Sequence, residues 1–275
     1  MKKYILTLIV ASIATLVSMA QSDSTLYIDG SQGRLYTCIS LPDGDSKCPM
    51  VILSHGFGSD MNSPIIASLA KELPARGIGV VRFDFNGCGK SDGEFQNMTV
   101  PNEIEDLLAV IAWTRLQPRT GSISLAGHSQ GGVVSGMAAG TVGDTQVKCL
   151  ALLSAAAVLR EDALRGSTQG AKYNPWHLDK PYYMIPGRNL KLGRAYIQTA
   201  MTLPIYETTS RYAGPTLVLN GMADVVVPYT YGELYHKLMP QSSLQLIPGE
   251  NHGLTENLPY ATTLIADWVE QQLKP

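Results

Sequence analysis

The stretch Ser122-Ile-Ser-Leu-Ala-Gly127-His128-Ser129-Gln130-Gly131-Gly132-Val133-Val134 decides how the rest of the chain is read. It runs from a short apolar strand through a G-x-S-x-G turn into a helix built of small residues. The chain must turn sharply at Ser129, which holds the serine in a strained conformation and pushes its hydroxyl out above the sheet. Gly127 and Gly131 flank it because side chains there would strike the strand or the helix, and Gly132 leaves further room for close packing. The helix that follows aims its N-terminus, with its partial positive charge, at the same point. Taken alone the pentapeptide also fits a glycine-rich turn carrying a surface serine. The strand before it and the helix after it favour a reactive elbow, and partners elsewhere in the chain decide the matter.

A chain of 275 residues suits one large α/β domain with an insertion better than two domains. At 45% hydrophobic residues it can bury a sizeable core, and a formal net charge of −2 gives no reason to expect nucleic acid or an anionic membrane as partner. Residues 1–20 read as an export signal rather than as part of the fold. Lys2-Lys3 supply the positive start, Tyr4 to Val17 the apolar run, and Ser18-Met19-Ala20 a small-x-small cleavage site that would leave Gln21 first. The apolar run is short for a membrane span, so no stable membrane anchor is expected. The expected location is a periplasm or the exterior, with an uncleaved anchor as the alternative. Cys38, Cys48, Cys88 and Cys149 lack metal-ligand spacing. Export permits disulfides, and only Cys38 with Cys48 is a feasible pair; four small buried thiols are the alternative.

Ser24 to Ile28 and Arg34 to Ser40 read as a pair of strands. Short apolar runs follow at Met50 to Ser54, Gly79 to Phe83, Ser122 to Ala126, Val147 to Ser154, Thr216 to Asn220 and Ser243 to Ile247. Between them lie helical patterns at Pro64 to Arg76, after Thr99-Val-Pro101, and from Asn257 to Leu273, with Thr99 a candidate cap. In the second, Ile104, Leu107, Leu108 and Ile111 form a core-facing stripe. Asp84 to Gly93 is a polar, glycine-rich loop without the spacing of a phosphate cradle. Asn97-Met98-Thr99 fits a short glycosylation pattern that also matches by chance. Eight strands alternating with helices after the first pair imply a mainly parallel sheet with helices on both faces. Sites then lie at the carboxyl ends of the strands. Between about 157 and 211 the alternation breaks, and the stretch, rich in Tyr, Pro and Gly, reads as a lid over the site.

A serine hydroxyl needs a base, an acid to orient the base, and donors for the oxyanion. Asp224 follows the seventh strand in Asn220-Gly-Met-Ala-Asp224-Val-Val-Val-Pro228, where the acid belongs. His252 follows the eighth in Pro248-Gly-Glu-Asn-His252-Gly253 and serves as the base between Asp224 and Ser129. Glu250 is a weaker rival for the acid, since it shares a loop with the base. His177 and His236 default to surface or packing roles, and His128 is turned away from the hydroxyl by the elbow. The oxyanion donors are assigned to the backbone N–H of Gln130 and that of Phe57, in the loop Ser54-His55-Gly56-Phe57-Gly58 after the third strand. Gly56 lets that backbone approach, and His55 reads as a hydrogen-bonded structural residue.

With these residues placed, the chain resembles the bacterial feruloyl (cinnamoyl) esterases of the α/β-hydrolase fold. The likeness runs from about Met50 to the C-terminus. It is carried by Arg82-Phe-Asp-Phe-Asn-Gly87, Asn97-Met-Thr99, Asn102-Glu-Ile-Glu-Asp106 and the Gly127-His-Ser-Gln-Gly-Gly132 elbow. Within the insertion it is carried by Asp162-Ala-Leu164, Thr168-Gln-Gly170, Tyr173-Asn-Pro175 and Leu203-Pro-Ile-Tyr-Glu207. The resemblance implies an eight-stranded α/β-hydrolase domain over 21–275 with a lid insertion after strand six. It implies a serine carboxylesterase that cleaves hydroxycinnamate esters, with Asp162, Gln169 and Tyr196 meeting the phenolic hydroxyl of the substrate. No cofactor or metal is implied. The partner implied is a small ester or a feruloylated oligosaccharide. The oligomeric state stays open, a homodimer included. Two departures stand out: Cys88 occupies a position where histidine is usual, and Trp176 to Leu192 is longer than usual. Peptidases, thioesterases, lipases and short-acyl esterases share the same triad; a non-catalytic binding protein on this scaffold is the further alternative, and such proteins usually lose a triad member, whereas this set is complete.

Overall fold

The structure is a computed structural model and describes residues 22–273. The expected export signal and its cleavage point after Ala20 lie outside the described residues. The described residues open with a hairpin of β1 (Ser22–Gly30) and β2 (Gly33–Leu41), then β3 (Cys48–Ser54), α1 (Pro64–Glu72), β4 (Gly79–Phe83), α2 (Val100–Arg115), β5 (Thr120–His128), α3 (Gln130–Val142) and β6 (Leu150–Leu153). The first pair is longer than its apolar core suggested because Ser31-Gln32 closes the turn tightly, extending the antiparallel register to Gly30 opposite Gly33. The helix expected over Pro64 to Arg76 stops at Glu72. Pro74 supplies no N–H to a continuing helix, so the chain tightens into a 3₁₀ turn over Pro74–Arg76 and leaves it through Gly77 at φ 81°.

Between β6 and the next core strand stands the insertion: α4 (Val158–Arg165), the hairpin β7 (Ser167–Thr168) and β8 (Ala171–Lys172), the hairpin β9 (Tyr182–Met184) and β10 (Lys191–Gly193), α5 (Arg194–Ala200) and α6 (Ile205–Thr209). The chain then completes the sheet with β11 (Thr216–Gly221), α7 (Thr230–Leu238), β12 (Ser242–Ile247) and α8 (Leu258–Leu273). The sheet has eight strands in the order β1-β2-β4-β3-β5-β6-β11-β12. Only the β1–β2 and β2–β4 pairings are antiparallel.

Alternate strand residues feed two cores, one on each face of the sheet. Met50, Ile52, Val81, Phe83, Ile123, Leu125, Leu150 and Leu152 point toward α2 and α3. Val51, Leu53, Val80, Ala126, Ala151, Leu153, Leu217 and Leu219 point toward α1 and α8. Strands buried on both faces carry apolar residues at every position, which is why they read as unbroken runs in the sequence. Thr99 caps α2 as expected, accepting from the Asn102 N–H at 3.2 Å. The buried face of that helix includes two carboxyl groups, Glu103 and Asp106, beside Leu107, Val110 and Ile111. Ile104 and Leu108 of the expected stripe are only partly buried. All four cysteines are buried free thiols, so Cys38 and Cys48 are not paired here. No helix among the described residues is long and apolar enough to cross a membrane.

Candidate active site

Ser129 sits between β5 and α3 with φ 58° and ψ −122°, a conformation that costs a non-glycine residue about 1–3 kcal/mol. Its backbone is held on both sides. The Ser129 N–H donates to Leu153 O at 2.9 Å, and its carbonyl accepts from the Ala156 N–H at 3.0 Å. The two cores fix β5 and β6, and those strands hold the turn open. Gly131 is required by close approach: a Cβ there would lie 2.3 Å from the His55 carbonyl oxygen. Gly56 performs the same service opposite the serine, since a Cβ there would lie 3.1 Å from that of Ser129. The loop after β3 is thereby laid against the nucleophile.

The acid and base arrive from the carboxyl ends of β11 and β12. His252 Nε2 lies 2.9 Å from Ser129 Oγ, and its Nδ1 lies 2.8 Å from Asp224 Oδ2. Asp224 Oδ1 accepts from the Val226 and Val227 N–H groups, both at 2.8 Å. A carboxylate fixed by two backbone donors takes the proton-bearing Nδ1 of the imidazole, so Nε2 faces the serine with its lone pair. Glu250 is excluded as the acid by its own bonds. It is buried and accepts from the N–H groups of Asn251, Glu256 and Asn257, bracing the loop that leads into α8. His177 is exposed, and His236 pairs with Ser242 Oγ on the surface, so neither reaches the site.

Two further histidines brace the loops. His55 donates from Nδ1 to the Gly56 carbonyl at 2.9 Å and accepts at Nε2 from the Phe85 N–H at 3.1 Å, so both nitrogens are occupied. Burial holds it below its ordinary pKa. His128 does turn from the hydroxyl, but it has work of its own. Its Nε2–H donates to the carbonyl of His252 at 2.8 Å, and the rings lie 5.0 Å apart. Burial, with the neighbouring His252, pushes its pKa down to about 4, which keeps it neutral beside the base.

Gln130 opens α3, so its N–H has no acceptor within the helix and stands at the positive end of the helix dipole. Its buried side chain is held from both ends. Nε2 donates to Glu103 Oε2 at 2.8 Å, and Oε1 accepts from the Tyr196 hydroxyl at 2.8 Å. Glu103, on the buried face of α2, is pushed up to about 8 by burial and by the nearby Asp106. Its place was legible, since it lies at helical spacing from Val100, Leu107 and Val110; a stripe chosen from apolar residues alone passes it over.

The hollow beside Ser129 and Gln130 is lined by Phe57, Val158, Leu159 and Val227 and by the polar Asp162 and Gln169, with Tyr196 in its wall. The insertion contributes half of the lining residues. Gln169 is exposed at the tip of the β7–β8 turn with φ 49°, and the Asp162 carboxyl is held above its ordinary range by burial. Trp176 to Leu192, expected to be longer than usual, holds most of the β9–β10 hairpin, whose Arg188 donates to the Gly58 carbonyl beside Phe57. Free space in the hollow amounts to about 30 Å³. Cys88 is a buried thiol pushed well above its usual range. Among the described residues no cluster of three His, Cys, Asp or Glu side chains is placed to hold a metal ion.

A strained serine above the carboxyl edge of a mainly parallel sheet, with a histidine and a buried carboxylate delivered by the last two strands, defines a serine hydrolase of the α/β fold. The chain belongs to the X-Pro dipeptidyl-peptidase (S15) family, whose model matches residues 29–179, more than half of its length. Among solved structures it is similar to Est1E from Butyrivibrio proteoclasticus with ferulic acid bound. The two are 29% identical with a TM-score of 0.85, over 90% of this chain and 98% of that one. It is also similar to an uncharacterized 31.7 kDa protein in the traX-finO intergenic region of Escherichia coli, at 33% identity over 114 residues, 40% of this chain and 38% of that protein. Lysophosphatidylserine lipase ABHD12 of Danio rerio is 24% identical over 238 residues, 82% of this chain and 59% of that protein. The chain thus spans less than two thirds of the length of these curated relatives.

Proposed function

We propose that the protein is a serine carboxylesterase that cleaves hydroxycinnamate esters through an acyl-enzyme. The observation that carries this reading is the lining of the hollow beside Ser129: apolar walls from Phe57, Leu159 and Val227, with the carboxyl of Asp162 and the amide of Gln169 as polar groups. A flat aromatic acyl group with a hydroxyl at its far end matches that arrangement, and the likeness to a protein solved with ferulic acid bound supports it. Asp162 has Arg165 as an ionic neighbour only at 3.9 Å, leaving its oxygens available to accept from a phenol.

In this reading Ser129 Oγ attacks the ester carbonyl while His252 Nε2 takes its proton, and Asp224 stabilises the imidazolium. The N–H groups of Gln130 and Phe57 receive the oxyanion; one such donor is worth roughly 10²–10³ in turnover. Collapse releases the alcohol or sugar, which leaves with the proton from His252. Water, activated by the same histidine, then frees the acid. Ligand pockets commonly offer about 300 Å³ or more, far above the 30 Å³ free here. In this reading the insertion gives way to admit the aromatic acyl group.

The family description raises a dipeptidyl amide as the rival substrate, whose N-terminal ammonium would also suit Asp162. Parallel assays on methyl ferulate, methyl cinnamate, p-nitrophenyl acetate and an alanyl-prolyl anilide separate the two. The proposal expects the highest kcat/KM on methyl ferulate, with methyl cinnamate weaker for want of the hydroxyl. Preference for the anilide, or for acetate over ferulate, would sink it. We also propose that the protein is exported, on the strength of Lys2-Lys3, the apolar run and Ser18-Met19-Ala20.

A further inference from the structure

The likeness to feruloyl esterases implies that Tyr196 meets the substrate's phenolic hydroxyl. Its surroundings bear on that role. Tyr196 is 1% exposed, and its hydroxyl proton is already donated to Gln130 Oε1 at 2.8 Å. Its ring packs edge-on against Phe57, with centroids 5.6 Å apart at 74°. Phe57 packs in turn on Phe95, with centroids 5.1 Å apart. One side chain of the insertion therefore touches both residues whose backbone N–H groups are assigned to the oxyanion. Its hydroxyl reaches the residue after the nucleophile, and its ring reaches the loop after β3.

The far side of Gln130 is closed by Glu103 on α2, at 2.8 Å. The chain Tyr196–Gln130–Glu103 thus spans from the insertion, through the first residue of α3, to a helix packed on the sheet. All three side chains are buried. Such a chain fixes the side chain of Gln130, and with it the orientation of the first turn of α3. Burial also holds the Glu103 carboxyl toward its neutral form, which spares the site a negative charge close to where the oxyanion develops.

We propose that Tyr196 is a positioning residue that couples the seating of the insertion to the assembly of the oxyanion hole, rather than a binding group for the substrate's phenol. The proposal rests on the serine-hydrolase reading above. In that reading the insertion shifts to admit an acyl group, and Tyr196, on its α5 helix, moves with it. When it reseats, Tyr196 restores Gln130 and Phe57 to the geometry the oxyanion requires. A substrate that keeps the insertion displaced would be bound without its oxyanion being held, which makes Tyr196 a checkpoint on acyl-group fit.

The test is Tyr196→Phe, which removes one hydroxyl and keeps the ring, assayed on p-nitrophenyl acetate and on methyl ferulate. A positioning role lowers kcat roughly tenfold on both esters, since both pass through the same oxyanion, and leaves KM within about twofold. A rise in KM confined to methyl ferulate, with kcat on the acetate unchanged, would overturn it and restore the phenol-binding role. Gln130→Met provides a second arm. If Tyr196 acts through the Gln130 amide, Tyr196→Phe lowers kcat no further in the Gln130→Met background; fully additive losses in kcat would overturn the coupling. The unaltered protein guards the underlying reading: if it cleaves neither ester and Ser129 escapes a fluorophosphonate label, the hydrolase assignment fails together with the inference drawn from it.

Discussion

Both oxygens of Asp224 are committed, one to His252 and one to the two N–H groups that follow it in the chain, so the base is aimed by a fully buried carboxylate. Asp224→Asn keeps this shape but favours the wrong imidazole tautomer, and should lower kcat on the order of 10⁴-fold with little change in KM. His128 acts one step behind. It stays neutral in the fold down to about pH 4, whereas the unfolded chain takes up its proton near the ordinary 6.5. Between those values the unfolded state binds more protons, so the stability His128 contributes is present above about 6.5 and is lost as the pH falls toward 4. Urea unfolding of His128→Asn should show a shallower loss across that window than the unaltered protein; parallel curves would contradict this role. At this scale the triad was readable because each member follows a strand at a position the fold demands. The carbonyl clamp from His128 and the Glu103–Gln130–Tyr196 chain were not, because they join segments far apart in sequence through side chains whose packing reads the same with or without them.

The elbow joining β5 to α3 shows how an element is specified by what cannot fit. At Gly131 an added methyl would meet two carbonyl oxygens of the β3 loop, those of Ser54 and His55, at 2.4 and 2.3 Å. Gly131→Ala should therefore destabilise the protein by about 1–3 kcal/mol, read as a lower urea midpoint, because backbone on both sides resists displacement. α2 carries the other lesson. Its buried stripe holds Glu103, whose carboxyl is pushed from an ordinary 4.5 to about 8 by burial and by Asp106, against the favourable bond from Gln130. An acid protonated in the fold but ionised when unfolded supports the native state fully below about pH 4.5, and that support is gone above about pH 8. The stability of the unaltered protein relative to Glu103→Gln should fall as the pH rises through that window. Helices and strands were legible here wherever apolar spacing marked them. α1 ended early because Pro74 cannot continue a helix. The buried face of α2 is rotated by about one residue from its apolar positions, because Glu103 and Asp106 share that face while Ile104 and Leu108 are only partly buried.

For the whole molecule, the strand order places Ser129, Asp224 and His252 at one edge of an eight-stranded sheet, after β5, β11 and β12. Residues of the insertion after β6, among them Val158, Leu159, Asp162 and Tyr196, line the hollow beside Ser129 at that edge. The alternation of strands and helices made the sheet readable in advance. The insertion was readable only as a break in that alternation, since its short hairpins and helices follow neither period for long enough. If the protein is exported as proposed, the form recovered from its natural compartment should begin at Gln21, and an intact Met1 would contradict cleavage. The most direct test of the central claim is the rate of methyl ferulate hydrolysis by the unaltered chain and by Ser129→Ala. We predict ready turnover by the first and a loss on the order of 10⁴-fold or more in the second. An unaltered chain that leaves methyl ferulate intact, or a Ser129→Ala protein that keeps pace with it, would contradict the account.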